Sequence, residues 1–132
     1  MGEKSPENPA EAEALSLAQK GIEAGAHGQH EDAVASWRAA SVYADAHLSG
    51  ADIDYWIKSG LGAALYDIGA YAESIAVSKQ ALDWCSARKR PLPALTIAKS
   101  YRSLGDHEAA RVNIDHARSL VGDSILREWA AD

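Results

Sequence analysis

Three glycines in this chain of 132 residues are each followed, twelve residues later, by an alanine: Gly28 by Ala40, Gly69 by Ala81 and Gly105 by Ala117. Two residues past each glycine stands a flat ring, His30, Tyr71 or His107, and five residues past it a small residue, Ala33, Ser74 or Ala110. Seven residues before it comes another small residue, Gly21, Gly62 or Ala98. The glycines lie 41 and then 36 residues apart, a range in which internal repetition marks a helical solenoid.

The middle copy shows what one repeat is. Ile57, Leu61, Ala64, Leu65 and Ile68 recur at three- and four-residue spacing before Gly69, and Tyr71, Ile75, Ala81 and Leu82 do so after it. That is the period of a helix with one face turned to a core. Gly69 is the turn, because glycine takes the left-handed backbone conformation without the penalty a β-carbon imposes. The stretch from Asp54 to Trp84 therefore reads as an αα-hairpin, and Gly62 and Ala81 are small enough to let its two axes approach closely.

With these residues in view, the chain resembles the tetratricopeptide repeat family, whose repeat of about 34 residues carries a Leu-Gly-x-x-Tyr and an Ala-x-x-x-Phe pattern. Leu61, Gly62 and Leu65 stand at the first pattern in the middle copy, and Ile97, Ala98 and Tyr101 in the last; Ala33 with Trp37, and Ala110 with Ile114, stand at the second. The chain departs from the pattern at Ser74 and Ser78, which are polar, in its longer spacings and in lacking the closing proline. The resemblance covers residues 14–121 and implies an all-α, antiparallel helix-hairpin solenoid of three repeats plus a C-terminal capping helix.

Helix boundaries follow from local signals. Asn8 is read as the N-cap of a first helix, with Pro9 in its first turn and Glu11 reaching back, running to Ala26. The second spans His30 to Leu48 with Val34, Trp37, Ala40, Val42 and Tyr43 near its apolar side, and Ser49 to Asp52 leads into the third. Pro91 opens the fifth, Asp106 caps the sixth with Val112, Ile114, Ala117 and Leu120, Gly122 stops it, and Asp123 caps a short seventh carrying Ile125, Leu126 and Trp129. Residues 1–8 are assigned to a flexible tail and 9–132 to one domain, a length that buries about two-thirds of the surface the unfolded chain exposes.

Charge is unevenly spread. Residues 1–87 hold 5 basic and 13 acidic side chains, a net of −8, whereas residues 88–132 hold 8 and 6, a net of +2. Such a polarity argues against general nucleic-acid binding and orients an approaching charged partner. The first residues lack an apolar core, so neither a signal peptide nor membrane insertion is expected, and one cysteine, Cys85, suggests a reducing, cytoplasmic setting.

Few residues point to chemistry. His30-Glu31 and His107-Glu108 do not extend to His-Glu-x-x-His, since Val34 and Arg111 stand where the second ligand is needed; both histidines are read instead as rings packing on a neighbouring helix. Cys85 lies near Arg88 and Lys89, which would lower a thiol pKa, but no histidine near it in sequence serves as base. It is read as a buried or incidental cysteine, the Arg88-Lys89-Arg90 run as a solvated connector, and Trp37 and Trp129 as core and cap packing. No catalytic residue, metal site or cofactor is assigned.

In the repeat family the first helix of each pair lines a concave face that holds peptides. The resemblance places Leu15, Ala18, Gln19 and Ile22 on that face, then Trp56, Ser59, Gly60, Ala63, Tyr66 and Asp67, then Leu92, Leu95, Thr96, Lys99 and Arg102. Small residues between Trp56 and Tyr66 predict a notch for an apolar side chain, and Lys99 with Arg102 a basic rim for a carboxylate. The lysine and asparagine clamp with which some relatives grip a chaperone's C-terminal carboxylate is missing. The expectation is a cytoplasmic adaptor or chaperone that binds a short apolar segment of a protein partner. The alternatives are a chaperone similar to those of type III secretion translocators, a small helical enzyme or enzyme accessory, and a structural homo-oligomer, with a homodimer one possible state.

Overall fold

The computed structural model describes residues 8–131. Five of the helices start where side chains compensate their first amides. Asn8 accepts a hydrogen bond from the Ala10 N–H at 2.9 Å and opens α1 (Pro9–Ala26), and Asp106 accepts from Ala109 at 3.1 Å to open α6 (His107–Val121). In α2 (His30–His47), α3 (Asp52–Asp67) and α4 (Tyr71–Ala87), which have no side-chain cap, acidic residues occupy the first turn: Glu31 and Asp32, Asp52 and Asp54, and Glu73. They sit at the positive end of the helix dipole. A fifth helix, α5 (Leu92–Ser103), follows Pro91, and α7 (Ile125–Ala130) follows Gly122.

The repeat punctuation is a repeated hydrogen bond. Gly28, Gly69 and Gly105 have φ of +74°, +83° and +88°, and the residue after each donates to the carbonyl five positions earlier: Gln29 to Ala24, Ala70 to Leu65 and Asp106 to Tyr101. This is the six-to-one bond of a helix stop. The same bond, Arg90 to Cys85 at 2.9 Å, ends α4, and there Lys89 takes the left-handed place at φ +59°. The Arg88-Lys89-Arg90 run is exposed between α4 and α5, as expected of a solvated connector, and it also terminates α4.

The helices pack consecutively, α1 on α2 through α6 on α7, and the first helices of successive pairs also touch, α1 with α3 and α3 with α5. Among the described residues the fold is all-α, a solenoid of antiparallel helix hairpins closed by α7. The small repeat positions lie inside it: Gly21, Gly62 and Ala98 are buried, as are Ala33, Ser74 and Ala110, while Ala40, Ala81 and Ala117 are wholly so. A β-carbon at Gly62 would collide with the Ser78 hydroxyl. Ser74 donates to the Gly62 carbonyl at 2.7 Å and Ser100 to the Ser74 hydroxyl at 3.3 Å, so one of the two polar departures, Ser74, joins a hydrogen-bonded seam linking α3, α4 and α5.

Four expectations are corrected. Val42 and Val112 are 64% and 61% exposed, because they lie on the sides of α2 and α6 turned away from the hairpin partners. His30 and His107 are exposed too, since they open their helices at the outer end of the turn. Ser124, not Asp123, is the N-cap position of α7; the Asp123 carboxylate accepts from Arg118 Nε at 2.6 Å instead. Asn8 belongs with α1 rather than with a tail, and the rest of that assigned tail, residues 1–7, lies outside the described residues.

Candidate functional site: the face of the first helices

Residues assigned to the groove fall into three groups. Leu15, Ile22 and Leu92 are 38%, 48% and 43% exposed, and Gln19 and Asp67 are exposed as well. Trp56, Gly60, Ala63, Tyr66, Lys99 and Arg102 are half-buried. Ala18, Ser59, Leu95 and Thr96 are buried, so these four are core and not lining.

The notch between Trp56 and Tyr66 is filled from inside. Ser59 is hydrogen-bonded to Cys85. Gly60 lies under the six-membered ring of Trp37, whose Cζ2 would stand 2.7 Å from a β-carbon there, and Gly21 on α1 lies under the five-membered ring of the same indole. Trp37 therefore bridges α1 and α3 through two glycines. Trp56 meets Trp37 edge-on, with ring centroids 5.4 Å apart, and packs on the N-terminal core. Its exposed remainder is an edge of the face, not a free anchor.

The basic rim is also engaged. Lys99 lies over the Tyr66 ring, 5.8 Å from its centroid. Arg102 stacks on Trp129 at 3.8 Å and donates to the Trp129 carbonyl at 2.8 Å. The capping helix thus reaches the groove through Trp129, and both cationic side chains are held in place by ring contacts. At the same end of α3 as Tyr66, Asp67 approaches His30 at 3.9 Å.

Two clusters escaped the sequence reading. Lys58 is 6% exposed; its ammonium donates to Asp54 at 2.6 Å and to Asp45 at 2.8 Å, joining α3 to α2. Burial pulls its pKa down, but the hydrogen bonds to Asp45 and Asp54 outweigh that and leave it raised. The Asp54 to Lys58 spacing of four was the available signal. The second cluster surrounds Trp84, stacked on Tyr55 at 6.0 Å, capped by Arg88 at 4.0 Å and donating through Nε1 to Asp52 at 2.9 Å.

Cys85 is 2% exposed. Burial raises its pKa; the Ser59 hydrogen bond and the charges of Arg90 and Arg88 offset this only in part, contrary to the lowering that its basic neighbours suggest. Among the described residues, no group of three or more histidine, cysteine or acidic side chains is placed to hold a metal ion, and no helix is long and apolar enough to cross a membrane.

A separate open trough of about 910 Å³ follows the outer side of α2, lined among others by Val34, Ala39, Val42, Tyr43, Leu17 and Ile68. Helical spacing puts Leu17 on the opposite flank of α1 from Leu15, Gln19 and Ile22. Trough and groove are therefore different surfaces. No family model matches the chain, and no curated protein matches it in sequence.

Proposed function

We propose that the chain is a tetratricopeptide-like binding module, acting as an adaptor or chaperone in the cytoplasm, that holds a short apolar segment of a partner protein along α1, α3 and α5. The observation that carries this reading is the exposure of Leu15, Ile22 and Leu92 on first helices while Trp37 fills the space between α1 and α3. The face is consequently a shallow strip of apolar side chains, suited to several side chains of an extended or helical segment rather than to one deep anchor. Lys99 and Arg102 favour an acidic residue at one end of that segment through their field, without surrendering their ring contacts.

The test is selection of peptides from a random display library on the wild type and on Ile22→Glu, an exposed position whose substitution leaves the core intact. Selected peptides are expected to share apolar residues beside an acidic one and to bind Ile22→Glu at least about tenfold more weakly, a difference of roughly 1.4 kcal/mol. Peptides that bind both proteins equally would move the site off this face.

A further inference from the structure

The outer side of α2 carries an exposed apolar stripe. Val42, its most exposed large apolar residue, lies with Ala35, Ala39 and Ala46 on one stripe, opposite the side on which Ala33, Trp37, Ala40 and Ala44 are buried. Tyr43 with Leu17 and Val34 with Ile68 widen this stripe into the apolar trough described above. We propose that its occupant is a second copy of this chain, with the two α2 helices packed antiparallel about a two-fold axis.

The stripe is self-complementary. Ala35, Ala39, Val42 and Ala46 are spaced four, three and four, as in the seam of two packed helices. Turned about an axis between Ala40 and Ser41, the stripe maps onto itself, so that Ala39 meets the second copy's Val42 and Ala35 meets the second copy's Ala46. An isologous contact needs a patch that is its own partner in this way, and three alanines allow the axes a close approach.

Charge selects the same arrangement. Arg38 and Asp45 flank the seam on one side, seven residues apart, and equivalent flanks face each other when the helices run antiparallel. Each copy's Arg38 then meets the other's Asp45, giving two opposite-charge pairs. A parallel arrangement separates them. Both side chains keep the exposure this requires, 47% for Arg38 and 63% for Asp45, although each also has an intramolecular partner, Glu73 and Lys58.

A contact about one helix long belongs to the interface class below about 1,200 Å² in total, so association is reversible and depends on concentration. It leaves the Leu15 and Ile22 side of α1 uncovered, and the dimer would carry two peptide-binding faces in one particle. Linked faces raise the avidity for a partner with repeated segments. The dimer stands without the proposed peptide binding, because it rests on a different surface.

Sedimentation velocity from about 10 µM to about 1 mM tests the association. The wild type is expected to shift from monomer to dimer over that range, and Ala39→Glu, with unchanged helicity, to remain monomeric. The register is tested by mild oxidation of the Ala39→Cys/Val42→Cys double variant, which should form a covalent dimer faster than either single variant. A wild type monomeric throughout, a dimer indifferent to Ala39→Glu, or single variants that cross-link as fast as the double would each overturn the proposal. A trough that takes a small molecule or another protein instead would give the first of these results.

Discussion

Trp37 rests on Gly60: the six-membered ring of its indole occupies the space a side chain at Gly60 would need, and Gly21 receives the other ring. One residue of α2 thereby sets the distance between α1 and α3. Gly60→Ala should overpack this contact and cost roughly 1–3 kcal/mol. Gly25→Ala, on the same α1 but with only an ordinary contact at 3.9 Å, should instead gain up to about 1 kcal/mol from reduced backbone entropy. Thermal and denaturant melts of the two variants should move in opposite directions; equal shifts would remove the bridge by Trp37.

Ser78 carries a buried hydroxyl with no hydrogen-bond partner among the described residues, directed at Gly62. An unpaired buried hydroxyl costs about 1–3 kcal/mol. Ser78→Ala is therefore expected to be neutral or stabilising in urea melts, and Gly62→Ala to be less damaging in its background than in the wild type. A double-mutant cycle with no coupling would contradict the close approach of α3 and α4 at this point.

Lys58 ties Asp54 and Asp45 together from a buried position. Replacing it with Met strands the Asp54 carboxylate and should cost about 3–5 kcal/mol, whereas joint replacement of Lys58 and Asp54 by apolar residues should recover much of that. The pH dependence follows from the raised lysine pKa. The contribution is fully present below the unfolded lysine value of about 10.4 and is lost as pH rises through the higher folded value. Melts between neutral and strongly alkaline pH should show an alkaline loss in the wild type that is smaller in Lys58→Met.

Lys89 ends α4 in the left-handed region at φ +59°. A β-carbon there costs roughly 1–2 kcal/mol, so Lys89→Gly should raise stability by up to about 1 kcal/mol once glycine's greater unfolded-state freedom is counted. A fall in melting temperature would show that the lysine side chain itself holds the turn.

Cys85 is enclosed and its thiol pKa is raised by burial. A thiol reagent should label it only as the chain opens, with a rate that follows unfolding across a urea series. Rapid stoichiometric labelling of the native protein would place the thiol at the surface.

Helix order and hairpin turns were legible because they depend on period and on punctuation, both of which are local. Gly28, Gly69 and Gly105 sit at positive φ and the small positions twelve residues later are all wholly buried. Side-chain destination was less legible, because a period says which residues share a face and not which neighbour fills the space before it. Gly60 reads as a gap from sequence; the indole that fills it comes from Trp37, a helix away. Leu95 and Ser59 fall at groove positions by register yet face the core. Lys58 follows Asp54 by four residues, a local pairing, but only the folding of α2 beside α3 brings Asp45 to it. Arg102 looks like a free rim cation until α7 carries Trp129 across it.

Amide chemical-shift mapping with a selected peptide is the most decisive test of partner binding along the first helices. Titration should perturb residues around Leu15, Ile22, Tyr66, Leu92 and Lys99 and leave the outer side of α2 unchanged. Perturbations confined to α2, α4 and α6, with none on α1, α3 or α5, would contradict it.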